Sequence, residues 1–279
     1  MVKGIDSFRK WFSDFESNYV VIGGTACDLL MGEAGESFRA TRDIDMVLII
    51  ESLDAAFGSR IWEYVKMAGY EQRLKNSGVP EYYRFIRPKS SEFPAMIELF
   101  SRRAEGITLP ADAVLTPLPI DDEVSSLSAI LLNDDYYSFL RTGVTTVDGI
   151  PILDAAHLIS FKAKAWLDLT ERRAQGGQVD SQNIRKHKND MIRLTTLLSP
   201  EFSMTLPDAV ADDMKLFLTK IDEPEKFIRT AAALNLSDAI PLDKLPLAAR
   251  LAETKRRADI HNASLDEQQH SGKERNVER

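Results

Sequence analysis

YVVIGGTACDLLMGEAGESFRATRDID, residues 19–45, runs from a β-branched stretch through a glycine pair to two aspartates. Tyr19 to Ile22 predicts a short strand that ends in a tight turn at Gly23-Gly24, and Thr25 to Met31 predicts a helix with Thr25 near its start. Gly32 to Ala40 is polar and glycine-containing, as in a loop, and Asp43 to Ile50 (DIDMVLII) predicts a second strand with an acidic beginning. Side chains alternate along a strand, so Asp43 and Asp45 share one side while Ile44 faces the other. Two neighbouring carboxylates repel unless a cation lies between them, and magnesium favours hard oxygen ligands together with phosphate oxygens. Gly23 and Gly24, lacking β-carbons, allow close approach of phosphates, the helix that follows offers free N–H groups, and Thr25 adds a hydroxyl. An Asp-X-Asp or a Gly-Gly alone is an ordinary strand edge or turn; the order strand, glycines, helix, loop, Asp-X-Asp strand is what points to nucleotide chemistry.

Outward from this stretch, Phe8 to Phe15 and Leu53 to Ala68 have helical spacing, and Tyr82 to Ile86 and Ala95 to Phe100 predict two further strands. From Pro151 the pattern becomes helical, over Asp154 to Arg173, Ile184 to Leu198, Ala209 to Ile221 and Glu223 to Ala233. Between these parts Ile107 to Gly149 is mixed, with short strands expected at 129–132 and at Gly143 to Ile152. The expected architecture is α+β: a mixed α/β catalytic domain over residues 1–150, a helical domain over 151–251 that completes the active site, and a polar tail over 252–279, frayed or disordered.

Three further residues stand out by position. Glu98 interrupts an apolar strand (AMIELF), shares its face with Met96 and Phe100, and is the expected third carboxylate, completing a metal site with Asp43 and Asp45 or taking a proton. In the helix from Asp154, Ala155, Leu158, Ile159, Ala165, Trp166 and Leu169 form an apolar stripe with Lys162 in its middle, whereas Lys164, Ser160, Asp168 and Glu171 mark the polar face. Lys162 must either snorkel or present its ammonium to a cleft where it offsets phosphate charge. Asp190, beside Leu194 and Leu197 on the next helix, is placed to pair with Lys162 or to cap local lysines.

Composition bounds the alternatives. The single cysteine, Cys27, excludes an internal disulfide and a cysteine-built zinc site, so a metal must rest on carboxylates. A net charge of −8 argues against non-specific coating of nucleic acid but leaves room for local basic patches at Arg102-Arg103, Arg172-Arg173 and Arg185 to Lys188. No basic start precedes an apolar run, and no stretch approaches the ~20 apolar residues of a membrane span, from which a cytoplasmic protein is expected.

The GGT helix, Arg39 to Asp45 (RATRDID), the MIELF strand, and the FKAKAWLDL and KHKNDMIRL helices resemble the polymerase-β-type nucleotidyltransferases, specifically the AbiEii-type toxins of bacterial toxin–antitoxin and abortive-infection systems. The resemblance covers roughly residues 19–198. It implies that Gly23, Gly24 and Thr25 hold the triphosphate of an NTP, that Asp43 and Asp45 bind Mg2+, and that Lys162 and Asp190 act from the helical part. It also implies a tRNA acceptor and a cognate antitoxin protein. Threonine after a second glycine, in place of serine after one, departs from the superfamily's pattern, as does Lys186-His187 in place of a basic-acidic pair. Two other readings remain: nucleotidyl transfer to a small hydroxyl compound, as in antibiotic-modifying enzymes, and a non-catalytic module that binds nucleotide or a partner.

Overall fold

Period-two alternation in the first hundred residues builds one sheet with two unlike faces. The computed structural model describes residues 2–74, 82–100, 116–117, 130 and 133–260. The chain divides into two compact units, Met1–Leu198 and Ser199–Arg279. The change of pattern near residue 150 is therefore a change from mixed to helical structure within the first unit.

In that unit the order is α1 (Ile5–Trp11), β1 (Tyr19–Ile22), α2 (Gly23–Glu33), β2 (Asp43–Leu48), α3 (Ala55–Ala68), β3 (Glu71–Leu74), β4 (Tyr82–Ile86), β5 (Met96–Phe100), β6 (Thr116–Pro117), α4 (Asp134–Thr142), β7 (Val144–Val147), β8 (Ile150–Leu153), α5 (Ala155–Ala174) and α6 (Ser181–Thr195). Among the described residues the strands form a mixed sheet in the order β6-β3-β4-β5-β2-β1-β8-β7. β2 lies antiparallel to β1 and parallel to β5, with Asp45 opposite Ile22 on one side and Glu98 on the other. The architecture is α+β, as the pattern predicts.

One face of the sheet is apolar. Met46 of β2, Ile97 and Leu99 of β5, and Phe85 of β4 meet Phe8 and Phe12 of the N-terminal segment and Ile61, Tyr64 and Val65 of α3. Aromatic edges fix this layer: Phe8 stands edge-on to Tyr19 at 5.7 Å and to Tyr64 at 6.3 Å between ring centroids. The alternate residues Asp43, Asp45, Met96, Glu98 and Phe100 face the opposite side. There α2, α5 and α6 pack together. α5 is buried around most of its circumference, well beyond a single stripe, and even Ser160 is fully buried, donating to the Ala156 carbonyl. Lys164, Asp168 and Glu171 keep the expected polar face, the first two as an i,i+4 ion pair at 3.5 Å and the third exposed.

Several elements differ from expectation. The Gly23-Gly24 turn is continuous with α2, which starts on Gly23 itself. β3, sequence EQRL, has no β-branched residue and takes strand form through antiparallel pairing with β4. α4 arises within the segment read as mixed, because Asn133 accepts from the N–H groups of Asp135 and Tyr136 and caps it. Gly143 to Ile152 forms the β7–β8 hairpin, turned at Asp148-Gly149, where φ is 52° and 73°. The strand expected at 129–132 lies outside the described residues apart from Ile130, as does Arg102-Arg103.

The second unit has α7 (Asp208–Lys220), a 3-10 turn (Pro224–Phe227) leading into α8 (Ile228–Ala233), and a helix, α9, over 247–260. Its core includes Val210, Met214, Phe217, Leu218 and Phe227. The polar tail expected from residue 252 is helical as far as 260. Glu253 is buried and accepts from Arg256 and Arg257, while Arg257 also donates to the carbonyls of Ser237 and Ile240. Residues 261–279 lie outside the described part. Among the described residues no helix is long and apolar enough to cross a membrane.

Phe8, fully buried among Phe12, Tyr19 and Tyr64, anchors the apolar face. Phe8→Ala is expected to cost about 3–5 kcal/mol through lost burial and the cavity left behind, read as a lower urea midpoint for the transition of the first unit.

Candidate active site

β1 ends where α2 begins, and the chain makes that corner with Gly23 in the left-handed region at φ 69°. A β-carbon there would lie 1.8 Å from Asp45 Oδ2, so glycine is required both by the backbone and by the carboxylate beside it. At Gly24 a β-carbon would sit 2.7 Å from Thr41 Oγ1, so the second glycine makes room for the segment that leads into β2. Thr25 does not face the cleft. It is fully buried, and its hydroxyl donates to the Asp43 carbonyl, joining α2 to the start of β2. The expectation that its hydroxyl serves a phosphate is corrected accordingly: Thr25 holds the aspartate strand.

Asp43 and Asp45 are half-buried with Ile44 fully buried on the opposite side, and both line an open cleft of about 370 Å³. That volume falls within the range of about 300–1,000 Å³ typical of small-molecule sites. The sheet contributes Ile22, Asp43, Asp45, Arg84, Met96, Glu98 and Phe100 to its lining, and the start of α2 contributes Gly23 and Gly24. The segment before β2 contributes Arg39 to Arg42, α5 contributes Leu158, Phe161, Lys162 and Ala165, and α6 contributes Lys186 and His187. Carboxylates thus come from the strands, and most of the cations come from the loop and the helices.

Glu98 shares this wall but is held by Arg84. Both Nε and Nη2 of Arg84 approach Glu98 Oε1 at 2.6 Å from the directly opposite position on β4. Among the described residues no group of three His, Cys, Asp or Glu side chains is gathered to hold a metal. The geometry does not gather Glu98 with Asp43 and Asp45 as a third metal ligand; its Oε1 accepts from the Arg84 guanidinium. Asp43 and Asp45 remain a suitable pair, since magnesium is usually bound by one or two carboxylates plus substrate phosphates and water. Arg84 was open to the argument that singled out Glu98: it too is a charge in the middle of an apolar strand, Tyr82 to Ile86, and needs a counter-charge.

On the helical side Lys162 and Asp190 meet, with Nζ to Oδ2 at 2.9 Å, and both are almost fully buried. Asp190 therefore lies behind the cleft wall, while Lys162 lines it. A third member joins them: Arg39 donates from Nε to Oδ1 at 2.9 Å and from Nη2 to Oδ2 at 2.8 Å, a bidentate clasp. Arg39 also lies over the Phe38 ring at 5.2 Å, and Arg193 of α6 lies over the same ring at 5.7 Å. Burial pushes the Asp190 carboxyl up, but the Lys162 ammonium and the Arg39 guanidinium outweigh it and hold the carboxyl at about 2. Burial pulls Lys162 down, the Asp190 carboxylate bonded to it pulls it up, and on balance it is raised above the ordinary lysine value. Burial pushes the Cys27 thiol up to about 11, so beside this cluster it is a neutral thiol at pH 7, donating to the Gly23 carbonyl.

No protein-family model matches the chain, and no curated protein is significantly similar to it. Among solved structures it is similar to an antigenic nucleotidyltransferase-like protein from Paracoccidioides brasiliensis, at 15% identity over 84% of this chain and 95% of that one, with a TM-score of 0.43. It is also similar to JHP933 from Helicobacter pylori, at 15% identity over 96% and 93% with a TM-score of 0.38. A third, the antibiotic-resistance factor ANT(2'')-Ia, shares 11% identity over 70% and 86% with a TM-score of 0.34. Likenesses this distant assign no residue its role.

Asp190→Asn is expected to cost about 3–5 kcal/mol at pH 7, because Lys162 is left buried without its counter-ion. A carboxyl held at about 2 in the fold, against about 3.9 unfolded, stabilises fully above about pH 4 and loses that contribution as pH falls through about 2. The stability gap between wild type and variant, measured by urea unfolding, should therefore narrow by about 2–3 kcal/mol from pH 5 to pH 2.

Proposed function

We propose that the chain is a magnesium-dependent nucleotidyltransferase that moves a nucleoside monophosphate from an NTP to an acceptor hydroxyl. The observation that carries this reading is the pairing, in one cleft, of two same-face aspartates on β2 with a glycine corner shaped around Asp45 and a cationic rim from Arg39, Arg42, Lys162 and Lys186. Asp43 and Asp45 would hold the metal, which supplies charge neutralisation on the triphosphate. Gly23 and Gly24 leave room for the phosphates, and the cations offset their charge. The acceptor oxygen attacks the α-phosphorus, the bond to the bridging oxygen of the β-phosphate breaks, and pyrophosphate leaves. Glu98, steadied by Arg84, is the residue on the carboxylate wall assigned to receive the hydroxyl proton. Phe100, Leu158, Phe161 and Ala165 give the same cleft an apolar part suited to a base or sugar face.

For the acceptor we favour the 3′ end of a tRNA, with the protein acting as the toxin of a toxin–antitoxin or abortive-infection pair and restrained by a cognate antitoxin protein. The supporting feature is the basic run Arg185, Lys186 and Lys188 on α6, of which Lys186 reaches the cleft. The net charge of −8 favours a second reading, transfer to a small hydroxyl compound. Acceptor affinity that falls steeply with salt supports RNA, and affinity insensitive to salt supports the small acceptor.

The test is incubation with each α-labelled NTP, magnesium and total tRNA, or a panel of small hydroxyl compounds, beside Asp45→Asn and an EDTA control. Label should pass from at least one NTP to an acceptor, vanish with EDTA, and fall about a thousand-fold in the variant. That factor corresponds to losing several kcal/mol of transition-state charge stabilisation at about 1.4 kcal/mol per decade. Transfer from no NTP to either acceptor class would sink the reading.

A further inference from the structure

Asp190 has more cation than it needs. Asp190 is 1% exposed, and its carboxylate receives both Lys162 at 2.9 Å and the two-pronged clasp of Arg39. The two cations are not equivalent. Lys162, 5% exposed where it lines the cleft, would be costly to leave without an anion. The Arg39 side chain is 32% exposed, lies in the segment between α2 and β2, and lines the same cleft as Asp43 and Asp45. If Arg39 departs, Lys162 still neutralises Asp190; if Lys162 departs, a buried ammonium loses its partner.

We propose that Arg39 is a polyphosphate clamp: on ligand entry it exchanges the Asp190 carboxylate for phosphate oxygens, while Lys162 stays on Asp190. The inference rests on the nucleotidyl-transfer reading for the identity of the ligand, an NTP, but its chemistry needs only a polyphosphate. A guanidinium matches phosphate and carboxylate oxygens with the same planar, bidentate geometry, so the exchange keeps the kind of bond and changes the partner. Phe38 provides an aromatic face along which the guanidinium can move, since the ring already lies beneath it at 5.2 Å. In this arrangement Asp190 acts as a stand-in anion that keeps Arg39 at the cleft until a phosphate replaces it.

The experiment is calorimetric titration of the full chain with inorganic tripolyphosphate and equimolar magnesium, for wild type, Arg39→Gln, Arg39→Lys, Asp190→Asn and Arg193→Gln, with thermal unfolding recorded for each. Arg193→Gln removes a charge from the same neighbourhood without touching the cleft lining. A clamp predicts tenfold or greater weakening in Arg39→Gln, a smaller loss in Arg39→Lys, and about twofold or less in Arg193→Gln. It also predicts undiminished or tighter binding in the folded fraction of Asp190→Asn, where Arg39 no longer has to leave a carboxylate. Arg39 variants that bind tripolyphosphate like wild type overturn the clamp and make Arg39 a strut, as does parallel weakening in Arg39→Gln and Asp190→Asn. Should Asp190→Asn not fold, the graded Gln and Lys responses decide. Nucleotidyl transfer measured alongside separates the two ideas: transfer with unchanged binding in Arg39→Gln removes the clamp alone. Weakened binding without transfer from any NTP removes the enzymatic reading alone, and no tripolyphosphate binding by wild type removes the clamp.

Discussion

A carboxylate shut away from water has to bring its counter-charges with it, and Asp190 draws on parts of the chain far apart in sequence. Lys162 is on α5, Asp190 on α6, and Arg39 in the segment between α2 and β2, 151 residues from its partner. Meeting at one carboxylate, they tie the segment that delivers Asp43 and Asp45 to the helical layer above the sheet. Such a cluster contributes less net stability than its short distances suggest, because three charged groups have been taken from water. Its contribution is to geometry. An apolar replacement of similar volume would pack the same space but would not fix which residue of the loop meets which turn of α6.

The same strands that make the core make the site, and they do so by alternation. On β5, Ile97 and Leu99 enter the aromatic layer, whereas Met96, Glu98 and Phe100 line the cleft. On β2, Ile44 and Met46 are buried between the two aspartates and beyond them. A slip of one residue in either register would send carboxylates into the layer of Phe8 and Tyr64 and apolar side chains into the cleft. The cost of burying an unpaired carboxylate thus guards the placement of the chemistry, and function and fold are specified by one constraint.

Alternation is also the reason much of this was legible in the sequence. Tyr19–Ile22 follows from its β-branched run ending at glycines, and the same-side placement of Asp43 and Asp45 and the face shared by Met96, Glu98 and Phe100 follow from periodicity. Lys162 could be picked out because a lysine inside an apolar stripe needs an explanation wherever the helix packs. What was hidden depended on partners remote in sequence. Arg39 gives no periodic signal in a polar loop, and nothing local distinguishes it from Arg42. Thr25, next to the glycines, suggested a ligand role, but the buried hydroxyl answers a backbone carbonyl instead. The strand of β3 is imposed by β4, and the first turns of the tail are ordered by a carboxylate, Glu253, whose arginine partners could equally have been solvated.

The glycine corner shows why the order of elements mattered more than any motif. Gly23 is forced by two independent demands, a left-handed φ and the Asp45 carboxylate that occupies the place of its β-carbon. The second demand exists only because β1 and β2 are adjacent and antiparallel with Ile22 opposite Asp45. A glycine pair elsewhere could satisfy the turn and have no carboxylate beside it. Here the turn lies against the aspartate in the cleft lining, and Thr25 two residues later secures the strand that carries it. Separating the carboxylates of β2 and β5 from the cations of the loop and helices follows from this layout, since the sheet supplies one wall and the helices the other. A ligand with a charged polyphosphate and a bound cation meets both walls with complementary charge, whereas a simple anion would meet repulsion from the strands and a simple cation repulsion from the rim.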